Sequence, residues 1–246
     1  MIRRISYRRK AWLVGLVLIC ACAVALSGCG YPRGQLLQNT APPVQQIKMV
    51  QDAVDQFQKE TGVLPIATRN ADTPEFERYP VDFSKIMPKY IPYIPGAAFE
   101  AGGNYMFVLL NAEKKPEVRL IDLTVSQGVQ TMQEKVSRFF ADKKEFPFGQ
   151  KAGDGYYFID FAKLRMGEET ILSHFSEQPL SYVINERGQV GVDYAMDLAM
   201  ALTNAAKKPG PNEDVRYVLA DVSPLAPVKS FPYRLINGEP KLVPQK

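Results

Sequence analysis

The chain has 246 residues, one histidine, three cysteines and a formal net charge of +4. One histidine excludes the two-histidine zinc signatures. Three cysteines in so long a chain exclude a disulfide-built scaffold. With 46% hydrophobic residues, the chain has enough apolar surface to build a packed core.

The N-terminus has the layout of a secretory signal. Arg3, Arg4, Arg8, Arg9 and Lys10 precede an uncharged run from Ala11 to Leu26. That run is 16 residues long, short of the roughly 20 needed for a helix to span the hydrocarbon core. Small residues then lead to a cysteine in Leu26-Ser27-Gly28-Cys29, which resembles the bacterial lipobox. The resemblance implies cleavage between Gly28 and Cys29. It also implies a diacylglyceryl and N-acyl lipid on Cys29, with no other cofactor. Such acyl chains make a stable anchor, because each buried methylene contributes about 0.8 kcal/mol and one chain alone is marginal.

Processing changes the bulk reading. Residues 1–28 carry +5 of the net +4, so the remaining 218 residues carry −1. No basic excess is left for a nucleic-acid partner. Cys20 and Cys22 leave with the signal, and Cys29 is the anchor, so the mature domain holds by core packing alone. Residues 29–43 read as the lipidated cysteine and a flexible tether rich in Gly, Pro, Gln and Asn.

Beyond the tether the pattern predicts an α+β chain. Two tandem helix-then-β-hairpin repeats with antiparallel sheet occupy 44–126 and 127–206, and a β extension occupies 207–246. Val44 to Thr61 places Ile47, Val50, Val54 and Phe57 on one helical face and ends at Gly62, with Pro65 beyond. Val129, Met132, Val136 and Phe139 repeat that spacing ahead of Phe146-Pro147. The offset is 82 residues for both the Phe and the Pro.

A second block recurs at an offset of 78. Tyr79-Pro80-Val81-Asp82-Phe83-Ser84-Lys85-Ile86 aligns with Tyr157-Phe158-Ile159-Asp160-Phe161-Ala162-Lys163-Leu164. Each repeat then offers a hairpin. The first has strands at 105–110 and 118–123 around a turn at 111–116. The second has strands at 182–184 and 190–194 around Asn185 to Gly188. Asp122-Leu123 aligns with Asp197-Leu198 at an offset of 75. Asp197 to Lys208 reads as a helix, Arg216 to Val222 as a strand, and Tyr233 to Val243 as a hairpin around Asn237-Gly238. Pro240 confines the last strand to an edge.

Chemistry-bearing motifs are sparse. No Gly-x-Ser-x-Gly elbow, P-loop or dinucleotide-binding glycine pattern occurs. His174 alone would have to serve any Ser-His-Asp arrangement. No catalytic or metal-binding residue is therefore assigned, and the chain reads as a non-enzyme. Asp82 and Asp160 are the notable polar residues, each between apolar neighbours. Either they face a groove between the repeats and hold a cation or an amine, or they cap the short helix that follows. The aromatic population, including Tyr79, Tyr93, Tyr105, Tyr157 and Phe99, fits a sugar or peptide groove or a half-buried sheet face.

The residues Ala53-Val54-Asp55-Gln56-Phe57, Gly62-Val63-Leu64-Pro65, Tyr79-Pro80-Val81-Asp82-Phe83 and Pro95-Gly96-Ala97-Ala98-Phe99-Glu100 resemble the YphF-type lipoproteins of bacilli. The resemblance implies a monoderm, spore-forming source and the outer face of the cell membrane. Three functional readings follow. One is a lipid-anchored, non-enzymatic envelope protein that presents a surface to other envelope proteins. Another is an extracytoplasmic solute-binding lipoprotein of an ABC transporter, with a small-molecule ligand. The third is a cell-wall enzyme using Glu100 and the repeated aspartates as its carboxylates.

Overall fold

A computed structural model describes residues 43–67, 69–70, 72–205 and 208–244. The expected signal, Gly28, Cys29 and the tether to 42 lie outside the described residues. The described chain is mixed α and β with small antiparallel sheets, as the pattern predicts.

Helix α1 spans Val44–Thr61 and buries Val50, Ala53 and Val54. It stops where Gly62 turns left-handed at φ 75° and donates its N–H to the Gln58 carbonyl. The chain returns as an extended pair, Ile66 against Val81, and helix α2 (Phe83–Ile86) follows. Strands β1 (Tyr105–Leu110) and β2 (Glu117–Asp122) form the first hairpin. Pro80 bridges Val108 on β1, so the order is Ile66, Val81, β1, β2.

Helix α3 (Leu123–Lys143) opens the second repeat and buries Val125, Val129, Met132 and Val136. It begins six residues before Val129, the first position of the expected periodicity. Gly128 interrupts the apolar pattern because a side chain there would press on the Tyr182 hydroxyl and the Ile171 side chain, at 3.1 and 3.3 Å. The helix ends at Lys144, left-handed at φ 58°, with its N–H on the Phe140 carbonyl. Lys144 and Phe140 lie 82 residues beyond Gly62 and Gln58.

The second sheet has the order β3 (Phe148–Gly153), β4 (Tyr156–Ile159), β7 (Tyr182–Asn185), β8 (Val190–Val192). This is the order of the first repeat, with β3 in the place of Ile66 and β4 in the place of 79–81. A short hairpin, β5 (Ile171–Leu172) and β6 (Pro179–Leu180), sits between β4 and β7.

Helix α4 (Ala195–Asn204) follows β8 as α3 follows β2. It ends at Asn204, so Lys208 is not in its last turn as expected. Asp122 and Asp193 play equivalent parts: each accepts an N–H two residues on, from Thr124 at 2.6 Å and Ala195 at 2.9 Å. The alignment of Asp122 with Asp197 is corrected accordingly. Asp197 lies inside α4 and is 1% exposed.

Arg216 to Val222 is also corrected from strand to helix. Helix α5 covers Tyr217–Val222. Val215, Val218 and Leu219 are buried at helical spacing, and Val218 and Leu219 donate to the carbonyls three residues back. The stretch 214–230 then crosses both repeats as a strap. Leu225 bridges Leu120 on β2, and Ser230 bridges Val192 on β8. The last hairpin, β9 (Tyr233–Ile236) and β10 (Glu239–Leu242), turns at Asn237 and Gly238, with φ 53° and 82°. Those angles are what a two-residue type I′ turn needs. Pro240 lies on the edge strand β10.

Two cores result. One lies between α1 and the first sheet and includes Val50, Ile86, Ile91, Phe107 and Leu120. The larger spans α3, the second sheet, α4, α5 and the strap, and includes Met132, Ile184, Leu198, Leu219 and Tyr233. Phe175 packs against both.

Candidate functional site

The recurrent Asp block is built for local structure. Asp82 takes the Ser84 N–H at 3.1 Å and the Ser84 hydroxyl at 2.6 Å. Asp160 takes the N–H groups of Ala162 and Lys163 at 3.0 and 3.1 Å. Their own N–H groups both donate at 2.8 Å, to Pro65 and Pro147. Lys85 and Lys163 reach back to the carbonyls of Ile66 and Phe148, at 2.7 and 3.0 Å. Both aspartates therefore act as caps, and the following lysine ties each turn to its strand. Glu100 is exposed on the 3₁₀ turn Phe99–Ala101. Neither groove described below is lined by Asp82, Asp160 or Glu100.

Beside the caps lies a device that the sequence pattern did not single out. Gln51 on α1 donates to the Pro116 carbonyl at 3.1 Å and accepts from the Val118 N–H at 2.7 Å. Gln133 on α3 donates to the Gly188 carbonyl at 2.9 Å and accepts from the Val190 N–H at 2.8 Å. Each glutamine satisfies both peptide groups at the start of its repeat's second hairpin strand. The signal that could have found them is their separation of 82 residues, the helix offset.

Between the repeats runs a groove of about 780 Å³. Helix α3 supplies Ser126, Val129, Gln130 and Gln133; the second hairpin supplies Arg187, Gln189 and Val190. The first repeat adds Asp72, Glu77 and Met106, and the strap adds Lys229, Ser230 and Phe231. Lys229 pairs with Glu77 at 2.8 Å, leaving the other Glu77 oxygen buried without a hydrogen-bond partner. The floor is apolar and the rim is polar and charged, the make-up of a surface that takes a ligand or a protein segment. A second, shallower groove of about 720 Å³ lies on the outer side of α1. It is lined by Gln51, Asp55, Lys59, Lys114, Lys115 and Glu117 among others.

Of the aromatic residues, Tyr156 is 2% exposed and packs on Phe231 in the larger core. Tyr79 and Tyr105 pack against the smaller core. Tyr93 and Phe99 are exposed, at 60% and 49%, and line neither groove.

His174, the sole histidine, lies in the turn between β5 and β6, and its Nε2 pairs with Asp122. Asp122 is thus the cap of α3 and the partner of an imidazole. Burial opposes its charge, but the bonds from His174 and the Thr124 N–H outweigh burial and hold its carboxyl below the usual range. The Asp122 bond raises His174 above the usual imidazole value, against the opposing effect of burial. Asp197 accepts from Ser173 at 2.7 Å and from Ser176, and burial pushes its carboxyl upward. The cavity beneath His174 is walled by Val125, Leu180, Leu225, Ala226 and Val228. Both serine hydroxyls are committed to Asp197. No group of three or more His, Cys, Asp or Glu residues able to hold a metal ion occurs among the described residues.

The arrangement from α1 to the end of β2 matches a known family model. Residues 43–122 match the YphF family N-terminal domain. The chain carries a YphF N-terminal domain. The match runs from the residue before α1 to Asp122, so the YphF domain comprises the first helix, its extended pair and its hairpin. It includes the Gln51 clamp and the Asp82 cap, whose counterparts Gln133 and Asp160 lie beyond it. The strap residues that border the last YphF strand, Pro224 to Ala226, also lie beyond it: Leu120 donates to the Pro224 carbonyl and accepts from Ala226, both at 2.9 Å. Among curated proteins and among solved structures, none matches the chain.

Proposed function

We propose that the chain is a lipid-anchored lipoprotein of the bacterial cell envelope, without enzymatic activity, that presents the groove between its repeats to another envelope protein. The observation that carries the anchor is Leu26-Ser27-Gly28-Cys29 behind a basic and apolar leader. The YphF match begins at residue 43, 14 residues after Cys29. No helix among the described residues is long and apolar enough to cross a membrane. The groove supports the partner reading because the first repeat, α3, the second hairpin and the strap all contribute to it. The matching helix ends, caps and glutamine clamps favour an internal duplication as the origin of the two repeats.

The experiment is crosslinking in intact membranes followed by affinity purification, with Cys29→Ala as the unanchored control. Recovery of envelope proteins that depends on Cys29 and is weakened by Gln130→Trp in the groove supports the reading. Recovery of a permease directs it instead to a solute receptor. The groove's volume favours that second reading, for which a ligand must raise the melting temperature. Recovery of neither, with unchanged behaviour of Cys29→Ala, counts against both.

A further inference from the structure

We propose that segment 171–180 is a proton-controlled clasp, closed across both repeats by the His174–Asp122 ion pair and loosened when His174 loses its proton. The segment is the β5–β6 hairpin, and its turn is closed by the Ser173 N–H on the Gln178 carbonyl at 2.8 Å. Consecutive side chains then hold three different parts of the molecule. Ser173 and Ser176 hold Asp197 of α4. His174 holds Asp122, the last residue of the first repeat's hairpin. Phe175 packs on both cores and meets Tyr194 edge-on, with ring centroids 5.9 Å apart.

Only one of these ties depends on charge within the neutral range. The Asp122 side chain is 7% exposed, so its carboxylate has little water to fall back on. Protonated His174 neutralises it. Neutral His174 leaves it with the Thr124 N–H and the N-terminal dipole of α3. The neighbouring elements add no second cation. From β1, Tyr105 stands opposite Asp122, and its phenol is held neutral by burial and by Asp122's charge. Tyr194, at the start of α4, is fully buried and donates to the Val228 carbonyl. Asp197 on α4 is taken by the two serines. The strap presents Leu225, Ala226 and Val228. Nothing nearby can replace the imidazolium.

A single histidine gives a single readable titration. The full mature chain would be followed by NMR, with the His174 Cε1–H shift and the amide protection factors of residues 173–177 recorded across the same pH series. The clasp requires His174 to titrate above its value in the denatured chain. It also requires the protection of 173–177 to fall as His174 deprotonates, by about tenfold for each unit separating the two values, while protection in α1 stays constant. Asp122→Asn keeps an acceptor for the Thr124 N–H, so the fold persists. In this variant the His174 value drops and the pH dependence at 173–177 disappears. Either of two results overturns the proposal: His174 titrating alike in wild type and Asp122→Asn, or protection at 173–177 staying flat through the wild-type titration.

Discussion

Gln51 and Gln133 make the same pair of hydrogen bonds, each amide holding the carbonyl before its hairpin's second strand and the N–H one residue into it. Both side chains are half-buried. Truncation leaves an N–H and a carbonyl without their partners, at a cost of about 1–3 kcal/mol in either repeat. Because the two clamps sit in different repeats, the double variant Gln51→Ala/Gln133→Ala should lose the sum of the two costs to within about 0.5 kcal/mol. Urea denaturation of the four proteins measures this, and a strongly sub-additive double variant would show that the clamps are not independent.

The repeated aspartates are predicted to be stability residues. Asp82→Ala and Asp160→Ala should each cost about 1 kcal/mol, and the Asn variants only a few tenths, since Asn caps as well as Asp. Thermal melts give the comparison. A large effect of Asp82→Asn on partner recovery at an unchanged melting temperature would return Asp82 to a binding role.

The pH dependence of stability has two limbs from one ion pair. The folded value of His174 is raised, so its contribution is complete below the unfolded value near 6.5 and is lost as pH rises through the folded value. The folded value of Asp122 is lowered, so its contribution is present above the unfolded value and is lost as pH falls through the folded one. His174→Gln should remove the alkaline limb and leave the acid loss contributed by other carboxylates. A set of unfolding free energies across the pH range tests this, and an alkaline limb that persists in His174→Gln would assign it elsewhere.

Arg216 anchors the strap. It is 6% exposed, forks onto Asp214, donates to the Ser230 carbonyl at 2.8 Å and lies 4.8 Å from the Phe76 ring centroid. Around it, Tyr217 donates to Glu75 and Lys229 to Glu77, both at 2.8 Å. Arg216→Ala strands the buried carbonyl and part of the Asp214 charge, and should cost about 3–5 kcal/mol. Arg216→Lys should recover only part of that, because an ammonium cannot make the fork. Chemical denaturation of both variants separates lost packing from lost hydrogen bonding.

Local chemistry made much of this fold readable in sequence. Helix α1 keeps its expected bounds because its apolar face, Gly62 and Pro65 all act within a few residues. The hairpin at Asn237-Gly238 was legible because few other dipeptides take positive φ at both positions. Helix α3 was read short because Gly128, demanded by Tyr182 and Ile171 from elsewhere in the chain, breaks an otherwise continuous pattern. Arg216 to Val222 was read as a strand from its composition, but three buried side chains at helical spacing decide its form. The groove, the clasp and the strap join residues 50 to 150 positions apart, for which local periodicity carries no signal. The repeat offset was the single long-range cue, and it leads directly to Gln133 once Gln51 is known.

The central claim is the anchor on Cys29. Detergent-extracted protein from the native membrane should be digested and its N-terminal peptide measured by mass spectrometry. The account predicts a peptide that begins at Cys29 and carries acyl and diacylglyceryl groups, and that is absent from Cys29→Ala. An intact Met1 terminus, or cleavage that leaves an unmodified cysteine, would contradict it.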